Sequence, residues 1–237
     1  MERYGRLLRI PSLCAFLCLL GCGKAPAQPP AQLGAMPVQP APPPGTWPEG
    51  ASAQIEHYDI SCSISPDAHM LDARVRVDWQ VLQATGTLQF SLRRNLAVTA
   101  LRDADTGAGL TYDRDEQGAV TVHLPARLAP GQRFSLQIEY SGEINGPRGG
   151  ESGNRVWDYI GPEGTYVRFE AGWYPNVWGD SATARLRIAV PSGWTYLSFG
   201  RRSEDGAAWE ITHPVMGISF CAALYELHED RAGRVPI

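Results

Sequence analysis

The sequence predicts an all-β domain, and three observations carry that prediction. Tyr58, Ile60, Cys62 and Ile64 alternate with Asp59, Ser61, Ser63 and Ser65, and Val75, Val77, Trp79 and Val81 alternate with Arg74, Arg76, Asp78 and Gln80. A period of two puts the apolar side chains on one face of a strand and the polar ones on the other. Glycine, proline, aspartate and asparagine recur between the apolar segments at a spacing suited to antiparallel strands. After residue 50 no stretch sustains the apolar period of a helix. The expected architecture is therefore a sandwich-like or large curved β-sheet domain, antiparallel or mixed.

The elements follow in order along the chain. Arg3, Arg6 and Arg9 precede an apolar run from Leu13 to Leu20, closed by Gly21 and Cys22. That run is far short of the ~20 apolar residues needed to span a bilayer, and Pro11 sits just upstream. A basic start, a short apolar stretch and a small residue before a cysteine resemble a bacterial lipoprotein signal, with residues 1–21 removed. The resemblance implies a diacylglyceryl thioether and a further acyl chain on Cys22, and several chains anchor stably where one does not. The expected location is the cell envelope, with the domain in the periplasm or at the cell surface. Residue 23 is not aspartate, which favours the outer membrane over the inner.

Residues 22–50 carry the modified cysteine and then nine prolines between Gly23 and Gly50, interspersed with alanine and glutamine. Such a stretch forms no core and reads as an extended stalk, in preference to a partner-binding motif at Pro42-Pro43-Pro44. Without residues 1–21 the chain has 18 basic and 24 acidic side chains, a net charge of −6. A nucleic-acid partner is excluded on charge, since phosphate recognition needs a basic patch.

Residues 51–237 are long enough for one core and one domain. Besides the two alternating segments, with a turn at Pro66-Asp67, strands are expected at 87–92, 98–102, 110–114, 120–124, 134–140, 166–169, 184–190, 195–199, 208–212 and 218–227. Arg93-Arg94 and Arg201-Arg202 read as solvated turn residues. Asp113, Asp115 and Glu116 read as a hairpin turn and lack the regular oxygen spacing of a calcium loop.

Several of these segments also carry a family resemblance. Tyr58-Asp59-Ile60, Pro66-Asp67, Leu124-Pro125, Leu128-Ala129-Pro130-Gly131 and the 136–142 segment occur in that order. Asp180-Ser181-Ala182-Thr183-Ala184-Arg185 then precedes alternating Leu186, Ile188 and Val190, followed by Pro191-Ser192-Gly193-Trp194 and Gly200. Together they resemble the N-terminal domain of gluzincin zinc aminopeptidases, the family of aminopeptidase N and leukotriene hydrolase. The resemblance covers about 170 residues and implies a saddle-shaped β domain. In that family a thermolysin-like catalytic domain begins about where this sequence ends.

The family's zinc motif, H-E-x-x-H, is absent: His228-Glu229 is followed by Ala232 where a second histidine would stand. His57, His69, His123, His213 and His228 show no ligand spacing. The substrate-amine motif G-x-M-E-N has only an accidental echo at Gly34-Ala35-Met36. Gly150-Glu151-Ser152-Gly153 misplaces one glycine of a nucleophile elbow and reads as a loop. No phosphate loop or Cys-x-x-Cys is present, so no cofactor, metal site or catalytic residue is expected in these 237 residues.

Two features remain as candidate sites. Cys62 and Cys221 fall in the first and last strands, and an oxidising compartment permits a disulfide, though the reading of each as a small buried apolar residue is preferred. Residues 157–178 concentrate aromatics, with Trp157, Trp173, Tyr174 and Trp178 as a candidate contact surface and at least one of the last three expected to be exposed. Three functions stay open. The leading expectation is a lipid-anchored, non-catalytic module that binds a protein or peptide. The alternatives are the N-terminal piece of a split or truncated zinc aminopeptidase, which would make it part of a metalloaminopeptidase, and a glycan-binding surface domain.

Overall fold

A computed structural model describes residues 51–148, 156–225, 231–232 and 235–236; the signal, Cys22 and the stalk lie outside them. The strands are β1 (Ala53–Ser65), β2 (Met70–Val81), β3 (Thr85–Ser91), β4 (Ala97–Asp103), β5 (Thr111–Arg114), β6 (Ala119–Leu128), β7 (Arg133–Glu143), β8 (Asn145–Arg148), β9 (Val156–Gly161) and β10 (Gly164–Val167). They continue with β11 (Ala182–Ala189), β12 (Thr195–Ser198), β13 (Arg201–Arg202), β14 (Trp209–Val215), β15 (Phe220–Ala223), β16 (Arg231–Ala232) and β17 (Val235–Pro236). Single 3₁₀ turns occupy Pro66–Ala68 and Phe169–Ala171.

A seven-stranded sheet in the order β13-β14-β11-β1-β2-β7-β4 forms the platform. Its centre realises the alternation of the sequence. Ile60, Val75, Val77 and Ile138 are buried on one face, whereas Asp59, Arg76 and Glu139 lie on the other and form ion pairs. Arg74 bonds Glu139 at 2.9 Å, Arg187 bonds Asp59 at 2.8 Å, and Arg76 is shared between Asp78 and Asp105. Opposite charges set across a ladder stabilise the sheet and keep this face wet. The sheet is mixed: β1 runs antiparallel to β2 but parallel to β11.

Ile55 and Tyr58, three residues apart, both point inward, which a regular strand forbids. A register shift between Ile55 and His57 supplies the extra residue that restores the phase. The freed Ile55 N–H is taken by the Asp180 carboxylate at 2.8 Å.

Two smaller sheets cover the inner face: β3-β6-β5 and β12-β15-β10-β9-β8. Leu88, Phe90, Val120 and Val122 from the former join Ile160, Val167 and Phe220 from the latter in one contiguous core with the platform. Where the β3–β4 connection crosses β7 the backbones nearly touch; a Cβ on Gly142 would lie 2.3 Å from the Asn95 carbonyl oxygen. His69, in the left-handed region at φ 56, accepts Ile144 N–H on its carbonyl and bonds the Ile160 carbonyl through Nδ1, fastening the β1–β2 corner to β9.

The expected segments at 87–92, 98–102, 110–114, 120–124, 134–140, 184–190 and 195–199 are all strands, within a few residues at each end. Arg201-Arg202, expected in a turn, pairs with β14 as a short edge strand, because hairpin register recruits it whatever its solvation. Phe169 is in a 3₁₀ turn, not a strand, and β15 is shorter than the 218–227 expected.

Candidate functional site

The site is built on the 169–181 loop and the outer face of the five-stranded sheet. The aromatic-rich sequence between β10 and β11, broken by Gly172, Pro175 and Gly179, folds as a 3₁₀ turn plus a coil pinned by two buried rings. Trp173 is fully buried; its indole N–H donates to the Ile218 carbonyl at 2.9 Å, while its own carbonyl accepts the Tyr140 hydroxyl at 2.9 Å. The Tyr174 hydroxyl accepts the Ile218 N–H at 3.0 Å, and its ring meets Tyr58 edge-on with centroids 5.3 Å apart. Burial pushes the Tyr174 phenol up to about 12, against the lowering effect of that N–H bond. Trp173 also packs edge-on against Phe220 at 5.0 Å.

Trp173 and Tyr174 are therefore core residues, and the contact surface expected of them is corrected. Both rings have backbone partners in the interior, so burying them strands no polar atom. Trp178, five residues on, is 79% exposed and stacks on Phe169 with centroids 6.3 Å apart. The side chain of Trp157 lies outside the described residues, as does Cys22.

Phe169 joins Trp178 to an apolar groove of about 420 Å³ whose walls include Tyr166, Leu197, Phe199 and Phe220. Tyr166 and Phe199 are each about half exposed. Charge in the groove is asymmetric. The Asp158 carboxylate is fully buried and receives the Arg168 backbone N–H at 3.1 Å and its guanidinium at 3.2 and 3.3 Å. Burial opposes the Arg168 charge, but Asp158 outweighs it and holds the guanidinium above its ordinary pKa. Glu170, half-buried in the same wall, has no ion-pair partner among the described residues. The sequence placed the aromatic density here but not Tyr166 and Phe199 as its exposed members; only strand parity at β10 separates Tyr166 from its buried neighbours Thr165 and Val167.

A second, polar depression of about 340 Å³ on the platform's outer face is lined by Ser61, Asp72, Arg74, Thr99, Glu139 and Ser141, with Arg74 and Glu139 already paired. It converges on no reactive group.

Cys62 and Cys221 are both free thiols, so the possible disulfide between them is not formed, in line with the preferred reading of unpaired cysteines. Cys62 faces the core from β1 of the platform, where burial raises its thiol pKa, while Cys221 lies in β15 of the five-stranded sheet. His57 bonds the Thr183 hydroxyl at 2.7 Å and His123 bonds Asp113 at 2.7 Å, while His228 lies outside the described residues. Among the described residues no group of three His, Cys, Asp or Glu side chains is placed to hold a metal, and no helix is long and apolar enough to cross a membrane.

No family model matches the chain, and no curated protein matches it. Solved structures do. An M1 zinc metallopeptidase from Deinococcus radiodurans, a point mutant bound to a Tyr-Ser-Ala substrate, aligns with a TM-score of 0.65 at 18% identity, over 78% of this chain and 46% of that one. A two-domain M1 zinc metallopeptidase bound to L-arginine gives 0.63 at 19% identity over the same shares. The Deinococcus radiodurans enzyme without that mutation gives 0.62 at 18%. At such identities the likeness is one of fold. The chain resembles these metallopeptidases over less than half of their length.

Proposed function

We propose that this chain is the N-terminal β domain of a zinc metallopeptidase of the aminopeptidase kind, a module that supports a metal-bearing part and performs no hydrolysis by itself. Of the functions left open by the sequence, this one draws the most support. The shared fold stops short of half the metallopeptidase chain, and no zinc ligand set is assembled among the described residues, so the residues present do not fit the metal that the fold family implies. The observation that carries the reading is the apolar groove face of Tyr166, Phe169 and Phe199. A domain cut from its neighbour exposes just such a surface. In this reading the lone carboxylate of Glu170 faces a cationic group of the metal-bearing part.

The test is sedimentation velocity of the full chain mixed with an H-E-x-x-H polypeptide from the same genome. A 1:1 complex is expected, weakened at least tenfold by Phe199→Asp. A complex indifferent to Phe199→Asp, or none at all, sinks the assignment of this face.

We further propose that the chain is attached to the cell envelope through lipid on Cys22. Cys22→Ser should leave the precursor unprocessed or release the protein from membranes. Processed Cys22→Ser protein that still fractionates with membranes contradicts the anchor.

A further inference from the structure

Two runs without a charged side chain, residues 171–179 and 214–219, meet at one end of the domain. Ile218 is bonded to both Trp173 and Tyr174, Val215 is in register with Ala182, and Gly217 lies so close to Phe169 that a Cβ there would come within 2.3 Å of the ring. Their tips project large apolar side chains: Trp178 is 79% exposed and Met216 is 47% exposed. Stacking on Phe169 holds the Trp178 indole in place rather than leaving it to collapse onto the surface.

The same end is the root of the N-terminal segment. β1 and β11 run parallel, with Thr183 at the start of β11 in register with His57 of β1, and the Ile55 N–H is bonded to Asp180, two residues from Trp178. Asp180 is itself buried and presents no charge to a surface. Cys22 lies 29 residues before Ala51. A chain of that length has a root-mean-square reach of roughly 30 Å if coiled. Lipid on Cys22 would thus keep this end close to the bilayer, at an effective concentration where even a weak contact is populated.

We infer that this uncharged tip is a lipid-contacting cap, with the Trp178 indole seated at the headgroup boundary and Met216 beside it. The inference rests on the lipid attachment at Cys22. An indole has an apolar body and one N–H donor, which suits the boundary between acyl chains and water. Residues 171–179 and 214–219 contain no Lys, Arg, Asp or Glu, which lowers the desolvation cost of entering that boundary, while Glu170 lies on the groove side beside Phe169. Tyr166 and Phe199 lie beyond Phe169 in the groove and remain available to a protein partner.

The experiment uses vesicles of phosphatidylcholine and phosphatidylglycerol whose acyl chains carry bromine near the headgroup, a short-range quencher of indole fluorescence. Two forms of the full chain are compared: the lipidated protein reconstituted into the vesicles, and the Cys22→Ser protein added to them at millimolar lipid. In both, we expect quenching of which most is lost in Trp178→Phe and part in Met216→Ser, two exposed positions where the fold tolerates the change. If the lipidated protein attaches but Trp178→Phe and Met216→Ser leave quenching unchanged, the cap is overturned and the anchor stands. If the wild-type precursor is neither processed nor attached while Cys22→Ser protein still shows quenching that depends on Trp178, the anchor is overturned and the cap stands. Quenching that is absent from both forms overturns the cap.

Discussion

Trp173 and Trp178 are five residues apart and should behave as opposites. Truncating Trp173 to alanine removes a fully buried indole that touches Tyr174 and Phe220 and leaves the Ile218 carbonyl without its donor. A buried Trp→Ala change costs about 3–5 kcal/mol for lost transfer and cavity, and an unpaired buried acceptor costs a further ~1–3 kcal/mol. Relaxation of the loop offsets part of this, so we expect about 4–6 kcal/mol, close to the whole stability of a domain at the low end of the usual ~5–15 kcal/mol. Urea titration followed by far-ultraviolet circular dichroism reads it directly. With a slope of about 1–3 kcal/mol/M, the midpoint should fall by more than about 1 M if the variant folds at all. Trp173→Phe, which keeps a ring but loses the N–H, should fall by about a third of that. Trp178→Ala should stay within about 0.5 kcal/mol of wild type, as exposed positions do. A Trp173→Ala midpoint within about 0.5 M of wild type at unchanged slope would refute the view that this residue pins the loop.

Burial pushes the Asp180 carboxyl from an ordinary 3.8 up to about 6, against the lowering effect of the Ile55 and Ser181 N–H groups. The folded protein therefore binds that proton more tightly than the unfolded chain. The group's contribution is fully present below pH ~4 and is lost as pH rises through ~6, by at most about 3 kcal/mol. Asp180→Asn should flatten the stability–pH profile across that window, at the cost of one weakened backbone bond; an unchanged slope would put the titration elsewhere. Gly142→Ala should destabilise by about 1–3 kcal/mol, because its methyl meets the Asn95 and Leu96 backbone and not a side chain that can turn away. A thermal midpoint equal to wild type would mean the β3–β4 crossing is looser than described. Tyr140→Phe, which strips the Trp173 carbonyl of its donor, should cost about 1–3 kcal/mol by denaturant titration, and a neutral result would remove that bond from the loop's supports.

How far the structure can be read from the sequence depends on whether a segment's neighbours are encoded locally. In β1, β2, β7 and β11 parity alone decides which side chains face the core, so Ile60, Val77, Ile138 and Leu186 were legible as inward residues. The β8–β9 hairpin was not. Asn145-Gly146-Pro147-Arg148 carries loop residues throughout, and only pairing with Val156–Gly161 makes it a strand. The parallel β1–β11 pair joins residues more than 120 positions apart, a contact no local pattern specifies. At the site, aromatic density marked the loop correctly, but a run of Trp, Tyr and Pro gives no period by which to tell Trp173 from Trp178. What decides it is the Ile218 backbone, 45 residues away from Trp173, which offers a carbonyl to one indole and nothing to the other.

The central claim is that this β domain lends support to a metal-bearing part and carries no metal of its own. The most direct measurement titrates the full chain into a zinc-loaded H-E-x-x-H polypeptide from the same genome while following cleavage of an aminoacyl p-nitroanilide, with zinc determined on each component separately. We expect no stoichiometric zinc and no cleavage from this chain alone, and activity that rises and saturates at one chain per metal-bearing part with wild type but not with Phe199→Asp. Stoichiometric zinc and cleavage in the chain alone, or partner activity indifferent to its addition, would contradict the account.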